Sequence, residues 1–213
     1  MTRTNMGYLY TITEWVTRFA YLNLLWMFFT VTGLVIFGFF PATVTMFTIV
    51  RKWIIGYETD ASVFHTFWTT YKEEFRKSNL IGLVLIITSG LIYLDLNYMR
   101  MNAGGMLWLT HIPLYLFIFG FLMTTLYFFP VYTHYNINLF QQFKHAFLIM
   151  FINPINNVMM LIGVGITIYI FTLIPGLAFF FGGSLMTYII FWPCYRSFNK
   201  IEERQRILAE KVS

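Results

Sequence analysis

The residue best suited to chemistry is Asp95, a carboxylate inside an apolar stretch long enough to cross a membrane. A charged side chain at the centre of a bilayer costs about 3 kcal/mol on insertion scales, so such residues often bind substrates or carry protons. Asp95 lies near the end of its stretch, where it can instead reach interfacial water or pair with Arg100 or Arg18 as a latch. The structural role and the role in substrate or proton movement both stay open.

Two amides also stand inside apolar stretches, Asn23 near the start of the first and Asn97 beside Asp95. A buried amide often hydrogen-bonds to a neighbouring helix in a membrane, where such a bond contributes about 0.6 to 2 kcal/mol. We therefore predict that Asn23 bridges two helices. Asp95, Asn23 and Asn97 together are the candidate intramembrane polar residues.

The remaining residue patterns do not indicate catalysis. The four histidines lack the spacing of metal ligands. The chain has no phosphate-binding loop, no H-E-x-x-H motif and no G-x-S-x-G motif. Cys194 is the only cysteine, so the sequence offers neither a disulfide framework nor a thiolate cluster. We expect no catalytic residue, no metal and no cofactor, and predict that the protein is not an enzyme.

The composition indicates a membrane protein. Of the 213 residues, 58% are hydrophobic and only 11% are charged, whereas soluble domains carry about 25% charged residues. The polar stretches are too short to form a separate soluble domain. The net charge of +5 is explained better by membrane orientation than by nucleic acid, because the basic residues lie in loops and tails.

Five apolar stretches have the length that a membrane span needs, which is about 20 helical residues. The sequence therefore predicts an all-α polytopic integral membrane protein, with about five transmembrane helices and cytoplasmic amphipathic helices in one membrane domain, residues 1–213. Pro175 and Gly176 leave only a short turn between the last two spans, which predicts a helical hairpin. The expected spans are residues 20–40, 79–99, 108–129, 156–173 and 176–191.

Lysine and arginine collect on the cytoplasmic side of membrane proteins. Residues 41–78, residues 130–155 and the C-terminal tail together hold eleven of these residues, and the other side holds three. We therefore expect a multi-pass protein of the cytoplasmic membrane, with its N-terminus outside and its C-terminus in the cytoplasm.

The first, third and fifth stretches each end in two aromatic residues and a proline. We interpret each proline as the point where a spanning helix turns onto a helix that lies along the membrane face. Residues 42–55 could form a surface helix or a re-entrant helix, and the sequence leaves both open. The three motifs are Phe39-Phe40-Pro41, Phe128-Phe129-Pro130 and Phe191-Trp192-Pro193.

An aromatic stripe with helical spacing follows the first of these motifs. It predicts an interfacial helix that docks against a partner, anchors in lipid or packs on the protein's own spans. A similar stripe in residues 139–147 suggests a weak internal repeat of residues 20–99 in residues 108–173. The candidate docking residues are Phe64, Phe67, Trp68, Tyr71 and Phe75.

Residues 22–79 resemble the YesL-like family of bacterial membrane proteins, a domain of unknown function. The resemblance implies a multi-pass protein of the cytoplasmic membrane and association with carbohydrate ABC uptake systems; it implies no catalytic residue. The resemblance is carried by Asn23-Leu24-Leu25-Trp26, Gly38-x-x-Pro41-Ala42-Thr43, Arg51-x-Trp53, Phe64-x-x-Phe67 and Phe75-x-x-Ser78-Asn79.

Two functions are consistent with these observations. The resemblance implies a non-enzymatic accessory or regulatory membrane subunit, whose partners beside the lipid bilayer are ABC transporter permease subunits or a second copy of the chain. The alternative is a small transporter or channel in its own right. That function requires polar groups that converge near the bilayer midplane, and the spans contain few of them.

Overall fold

The protein folds into seven helices within the part of the chain that its structure, a computed structural model, describes. Those residues are 3–57, 62–101, 108–135 and 137–212, with side chains described for residues 10–57, 62–101, 111–135 and 137–210. The helices are α1 (Arg3–Thr32), α2 (Ile36–Ile55), α3 (Val63–Met101), α4 (Trp108–His134), α5 (Leu139–Ile152), α6 (Pro154–Leu173) and α7 (Pro175–Val212).

Four of these helices, α3, α4, α6 and α7, are long and apolar enough to cross a membrane. Their apolar side chains point mostly outwards: in the most apolar part of α6 only 11% of the residues are buried. An outward-facing apolar surface of this extent requires lipid around it. The structure thus confirms an all-α polytopic membrane protein.

The stretch expected to be the first span turns back on itself at residues 33–35. Leu34 and Val35 have φ angles of 58° and 62°, in the left-handed region that a β-branched residue rarely adopts. A Cβ on Gly33 would overlap the Cα of Gly38, so the two glycines allow the chain segments to touch. Residues 20–40 are therefore divided between α1 and α2 and do not form one continuous helix.

The two helices that this turn joins form an antiparallel hairpin. The Trp26 indole Nε1 donates a hydrogen bond of 3.1 Å to Thr43 Oγ1 near the turn. Trp15 packs edge-on against Trp53 at the far end, with ring centroids 6.1 Å apart. Residues 42–55, for which the sequence left a surface or a re-entrant helix open, belong to α2, and most of that segment is buried in the bundle.

The three aromatic-aromatic-proline motifs lie within helices, not at helix ends. The interpretation that spanning helices turn at these prolines is therefore wrong. Pro41, Pro130 and Pro193 are all buried, and their helices α2, α4 and α7 contact one another. Phe47 of α2 stacks on Phe129 of α4 with centroids 5.4 Å apart. The motifs thus contribute to the protein's central helix packing.

A proline inside a helix leaves one backbone carbonyl without its usual donor. For Pro41 this is the carbonyl of Phe37, four residues earlier. Asn79 of α3 donates a side-chain hydrogen bond of 3.0 Å to that oxygen. A neighbouring helix therefore supplies the missing donor, as a membrane environment requires, and the same bond joins α3 to α2.

The predicted interfacial helix and second span form one continuous helix, α3. The second amphipathic stripe forms a separate helix, α5, which ends where Pro154 begins α6. A single residue, Ile174, separates α6 from α7, which confirms the predicted hairpin turn.

The first and last helices run in opposite directions where they pack together. Asn23 of α1 contacts residues 179–184 of α7, and Phe19, earlier in α1, contacts Tyr188, later in α7. Termini on opposite sides, as expected from five spans, would require these helices to be parallel. The two terminal ends of the bundle lie instead on the same side because the chain makes an extra turn at residues 33–35.

We expect Gly38→Ala to destabilise the protein, because a Cβ there would overlap the carbonyl oxygen of Thr30. Overpacking of this kind costs about 1 to 3 kcal/mol. Thermal melting in detergent measures the effect. Gly90→Ala is the control, because a Cβ at Gly90 meets no atom within 4 Å. Equal melting of the two variants would show that the turn tolerates the extra carbon.

Candidate functional site

Asn23 bridges α1 and α7, as predicted from the sequence. Its side-chain Nδ2 donates to the carbonyl oxygen of Phe179 at 2.7 Å, and its Oδ1 accepts from the backbone N–H of Gly183 at 2.8 Å. In an α-helix the N–H of each residue binds the carbonyl oxygen four residues earlier, and Gly183 and Phe179 are such a pair. The Asn23 amide therefore contacts the donor and the acceptor of the same turn of α7. Asn23 is 1% exposed, and its role is structural.

Asp95 and Asn97 do not join Asn23 in a common site. Both lie near the end of α3, and Asp95 is exposed. Among the described residues no ion pair links Asp95 to Arg18 or Arg100, and Arg18 binds Glu14 one helical turn away. The three candidate intramembrane polar residues are therefore separate.

The aromatic stripe on α3 packs partly on the protein itself. Phe67 is fully buried and stacks on Phe29 at 4.8 Å. The Tyr71 hydroxyl donates to the carbonyl oxygen of Phe29 at 3.2 Å, and Phe75 is half-buried. Phe64 and Trp68 remain 46% and 42% exposed. These last two also pack against Phe29, but they are the most exposed members of the stripe and the best placed to contact a partner or lipid.

The structure also forms a polar cavity of about 750 Å³ that the sequence did not indicate. It lies between the C-terminal parts of α2 and α4, the first half of α3 and the start of α5. Its charged and polar lining residues include Arg51, Glu73, Glu74, Lys77, Tyr132, His134, Tyr135, Asn138 and Gln142. Cavities that bind small ligands have volumes of about 300 to 1,000 Å³.

Several polar groups of the cavity are fixed by contacts within the chain. The Tyr132 hydroxyl donates a short hydrogen bond to Glu74, which ties α4 to α3. Gln142 Nε2 donates to the carbonyl oxygen of Ile137 at 2.9 Å. These bonds orient the side chains before any ligand binds, and such preorganisation lowers the entropic cost of binding.

Three other polar atoms of the residues that line the cavity have no hydrogen-bond partner in the described part of the chain. They are the Arg51 Nε, the His134 Nδ1 and the Gln142 Oε1, all buried. Gln142 as a whole is only 5% exposed. A buried polar group without a hydrogen bond costs about 1 to 3 kcal/mol. All three atoms belong to residues that line one cavity, which makes this cavity the candidate site for a polar ligand or ordered water.

The C-terminal part of α7 packs against His134, one of the residues that line the cavity. Glu202 lies 3.1 Å from His134 Nε2, and Phe198 stacks on the same imidazole ring at 4.7 Å. Burial and the Glu202 charge raise the pKa of Tyr135 to about 12, so its phenol stays neutral. The described residues contain no group of three metal-ligating side chains.

Sequence reasoning missed this cavity because its residues come from three segments that are distant along the chain. Arg51 ends an apolar run, and Glu74 lies on the polar side of an amphipathic helix, where charged residues are ordinary. Cys194 is fully buried in the helix bundle and does not contribute to the cavity. The one available signal was the pair Arg51 and Lys52, which interrupts the apolar run of residues 42–55.

The fold and the site define a polytopic helical membrane protein with a charged cavity at one end of its bundle. Three Bacillus subtilis proteins are similar over nearly the whole chain. YesL is 35% identical over 192 residues, 90% of each chain; YteU is 35% identical over 202 residues, 93% of this chain and 89% of its own; YesV is 34% identical over 197 residues, 91% and 93%.

The DUF624 family, described as proteins of unknown function, matches residues 19–96. No solved structure matches the chain. The protein belongs to this YesL-like DUF624 family, which confirms the resemblance seen in the sequence.

We expect Asn23→Ala to lower the free energy of unfolding by about 0.6 to 2 kcal/mol, because it removes the bridge between α1 and α7. Asn97→Ala is the matched control, since the Asn97 side chain has no hydrogen-bond partner in the described residues. Thermal melting in a mild detergent compares them. A bridge without energetic value would leave both variants at the melting temperature of the parent.

Proposed function

We propose that the protein is a non-enzymatic accessory or regulatory membrane subunit associated with a bacterial carbohydrate uptake system. The association rests on the family resemblance. The main structural support is the distribution of polar groups: the charged ones collect in a cavity at one end of the bundle, whereas most polar groups in the apolar interior are hydrogen-bonded within the chain.

The interior threonines illustrate this second point. Thr45 donates to the carbonyl oxygen of Pro41 at 2.7 Å, and Thr167 donates to that of Gly163 at 2.8 Å. A hydroxyl group that donates to its own helix in this way has no hydrogen left to donate to a solute. The cavity, with its unpartnered atoms, keeps a small transporter as the second candidate function, because a transported molecule also needs a binding site.

We further propose that both termini face the cytoplasm. The antiparallel packing of α1 and α7 supports this orientation, and so does the distribution of basic residues. With both termini on one side, thirteen of the fourteen lysines and arginines lie on that side, leaving only Arg100 opposite. This bias is stronger than the eleven to three expected from the sequence, in the direction that the positive-inside rule requires.

Labelling of single cysteines in intact cells tests the orientation. Cys194 is fully buried and serves as a silent background. A cysteine in place of Asn5 should resist an impermeant maleimide until the membrane is permeabilised, and one in place of Ala103 should react at once. Reaction of the Asn5 variant in intact cells would place the N-terminus outside.

The partner surface that we propose is the exposed aromatic pair on α3, Phe64 and Trp68. Lys72 lies over the Trp68 ring at 4.6 Å, which holds the indole in place. Exposed aromatic side chains of this kind are the usual anchors of protein interfaces. The proposed partner is another membrane protein, such as a permease subunit of the uptake system.

The double variant Phe64→Glu/Trp68→Glu should melt within a few degrees of the parent and lose at least tenfold in its yield of the co-purified partner. The matched control is Phe140→Glu, because Phe140 is 82% exposed on α5. Gentle purification followed by identification of the bound chains measures the result. Unchanged partner recovery from the double variant contradicts the surface, and a homo-oligomer that transports solute favours the second function.

A further inference from the structure

We propose that the cavity between α2, α3, α4 and α5 binds a glycerol phosphate group, a small oxyanion that also carries hydroxyl groups. The group could come from a free solute or from the headgroup of a phosphatidylglycerol lipid. This proposal goes beyond the proposed function and does not depend on a partner protein.

The first argument is the size of the cavity. Its volume of about 750 Å³ is far larger than the space that a few bridging waters need, since one water occupies about 30 Å³. It has the volume of a site for a small organic molecule. Its position at one end of the bundle, among the basic residues of α2 and α3, is accessible from water and close to lipid headgroups.

The second argument is the charge of the lining. Arg51 and Lys77 are cations on two different helices that border the same space. Arg51 lies close enough to His134 for its charge to act on the imidazole ring. Its buried Nε has no acceptor in the described residues. An oxyanion supplies that acceptor, and phosphate oxygens suit an arginine in geometry and charge.

The third argument is the need for a donor on the ligand. The Gln142 Oε1 is an unpartnered acceptor in a side chain that is 95% buried, and its Nε2 is already bound to Ile137. Phosphate fully ionised at its oxygens offers no hydrogen to this atom, whereas a hydroxyl group does. Glu73 is a further acceptor on the cavity wall. The lining thus matches a molecule with an anionic end and a hydroxylated end.

A metal ion fits this lining less well. Two cations and two carboxylates border the cavity, and one of the carboxylates, that of Glu74, already accepts a hydrogen bond from Tyr132. A divalent cation requires several free oxygen ligands. An organic anion uses the arginine, the lysine and the glutamine together.

Titration calorimetry on the purified full-length protein tests the proposal with glycerol 3-phosphate, sulfate (an oxyanion fully ionised at neutral pH) and glycerol as separate probes. Glycerol 3-phosphate should bind, and glycerol should not. Arg51→Gln should weaken the binding at least tenfold. Arg76→Gln, which removes an exposed cation of α3 outside the cavity lining, should leave it unchanged. If Arg51→Gln does not fold, Lys77→Gln takes its place with the same expected loss.

The hydroxyl contact has its own variant. Gln142→Met keeps the side-chain length and removes the acceptor, so it should weaken glycerol 3-phosphate about tenfold while leaving sulfate, which has no hydrogen to donate, nearly unchanged. Equal loss for both probes would contradict the assignment of the hydroxyl end to Gln142.

Nanodiscs distinguish the two sources of the group. Thermal stabilisation by phosphatidylglycerol over phosphatidylcholine, lost in Arg51→Gln and kept in Arg76→Gln, supports the lipid headgroup. Binding of free glycerol 3-phosphate with the same dependence supports the solute. If neither probe gives an effect that depends on Arg51 or Lys77, the cavity holds only water and the proposal is wrong. The proposed accessory function is tested separately, by partner recovery, so a negative result for ligand binding does not contradict it.

Discussion

The hydrogen bonds of the Asn23 amide to one turn of α7 fix how the two ends of the chain pack. Asn23 binds the carbonyl of Phe179 and the N–H of Gly183, and a Cβ at Gly183 would stand 3.0 Å from the Asn23 Oδ1 and from Met46. The glycine therefore allows the close approach that the amide needs. Since apolar helices gain little from burial against one another in lipid, directional bonds and close packing of small residues determine which helices pair. This contact joins α1 and α7, whose antiparallel direction is set by the turn at residues 33–35.

The α1–α2 hairpin extends that constraint to the rest of the bundle. The turn at residues 33–35 brings α2 beside α7, and α2 then contacts α4 through the stack of Phe47 on Phe129. Pro41 frees a carbonyl that Asn79 binds, so α3 is attached to the same helix. Three helices with buried prolines form the centre, and the long apolar faces of α3, α4 and α6 remain outside, where lipid covers them.

The cavity is a consequence of this arrangement. The C-terminal parts of α2 and α4 end on the side where α3 and α5 begin, and the short connections leave space between them. Charged side chains can occupy that space because it is open to water at the end of the bundle. The same charges in the apolar middle of the bundle would raise the free energy of the folded protein. The polar groups available for binding a ligand therefore lie at the end of the bundle that carries most of the basic residues.

The sequence by itself determined that the protein is helical and belongs in a membrane, because composition and the length of apolar stretches decide the solvent without reference to tertiary contacts. It also indicated the bridge at Asn23, since a lone amide in an apolar run has few other uses. It did not indicate the turn at residues 33–35, because Leu34 and Val35 continue an apolar pattern, and only the contact of Gly33 with Gly38 explains the reversal. The sequence pattern likewise predicted that helices turn at Pro41, Pro130 and Pro193. The structure shows that all three prolines lie within helices and are buried by neighbouring helices. The cavity was decided by tertiary structure alone: Arg51, Glu74 and His134 come from three distant segments of the chain, and each is ordinary in its own helix until packing brings them together.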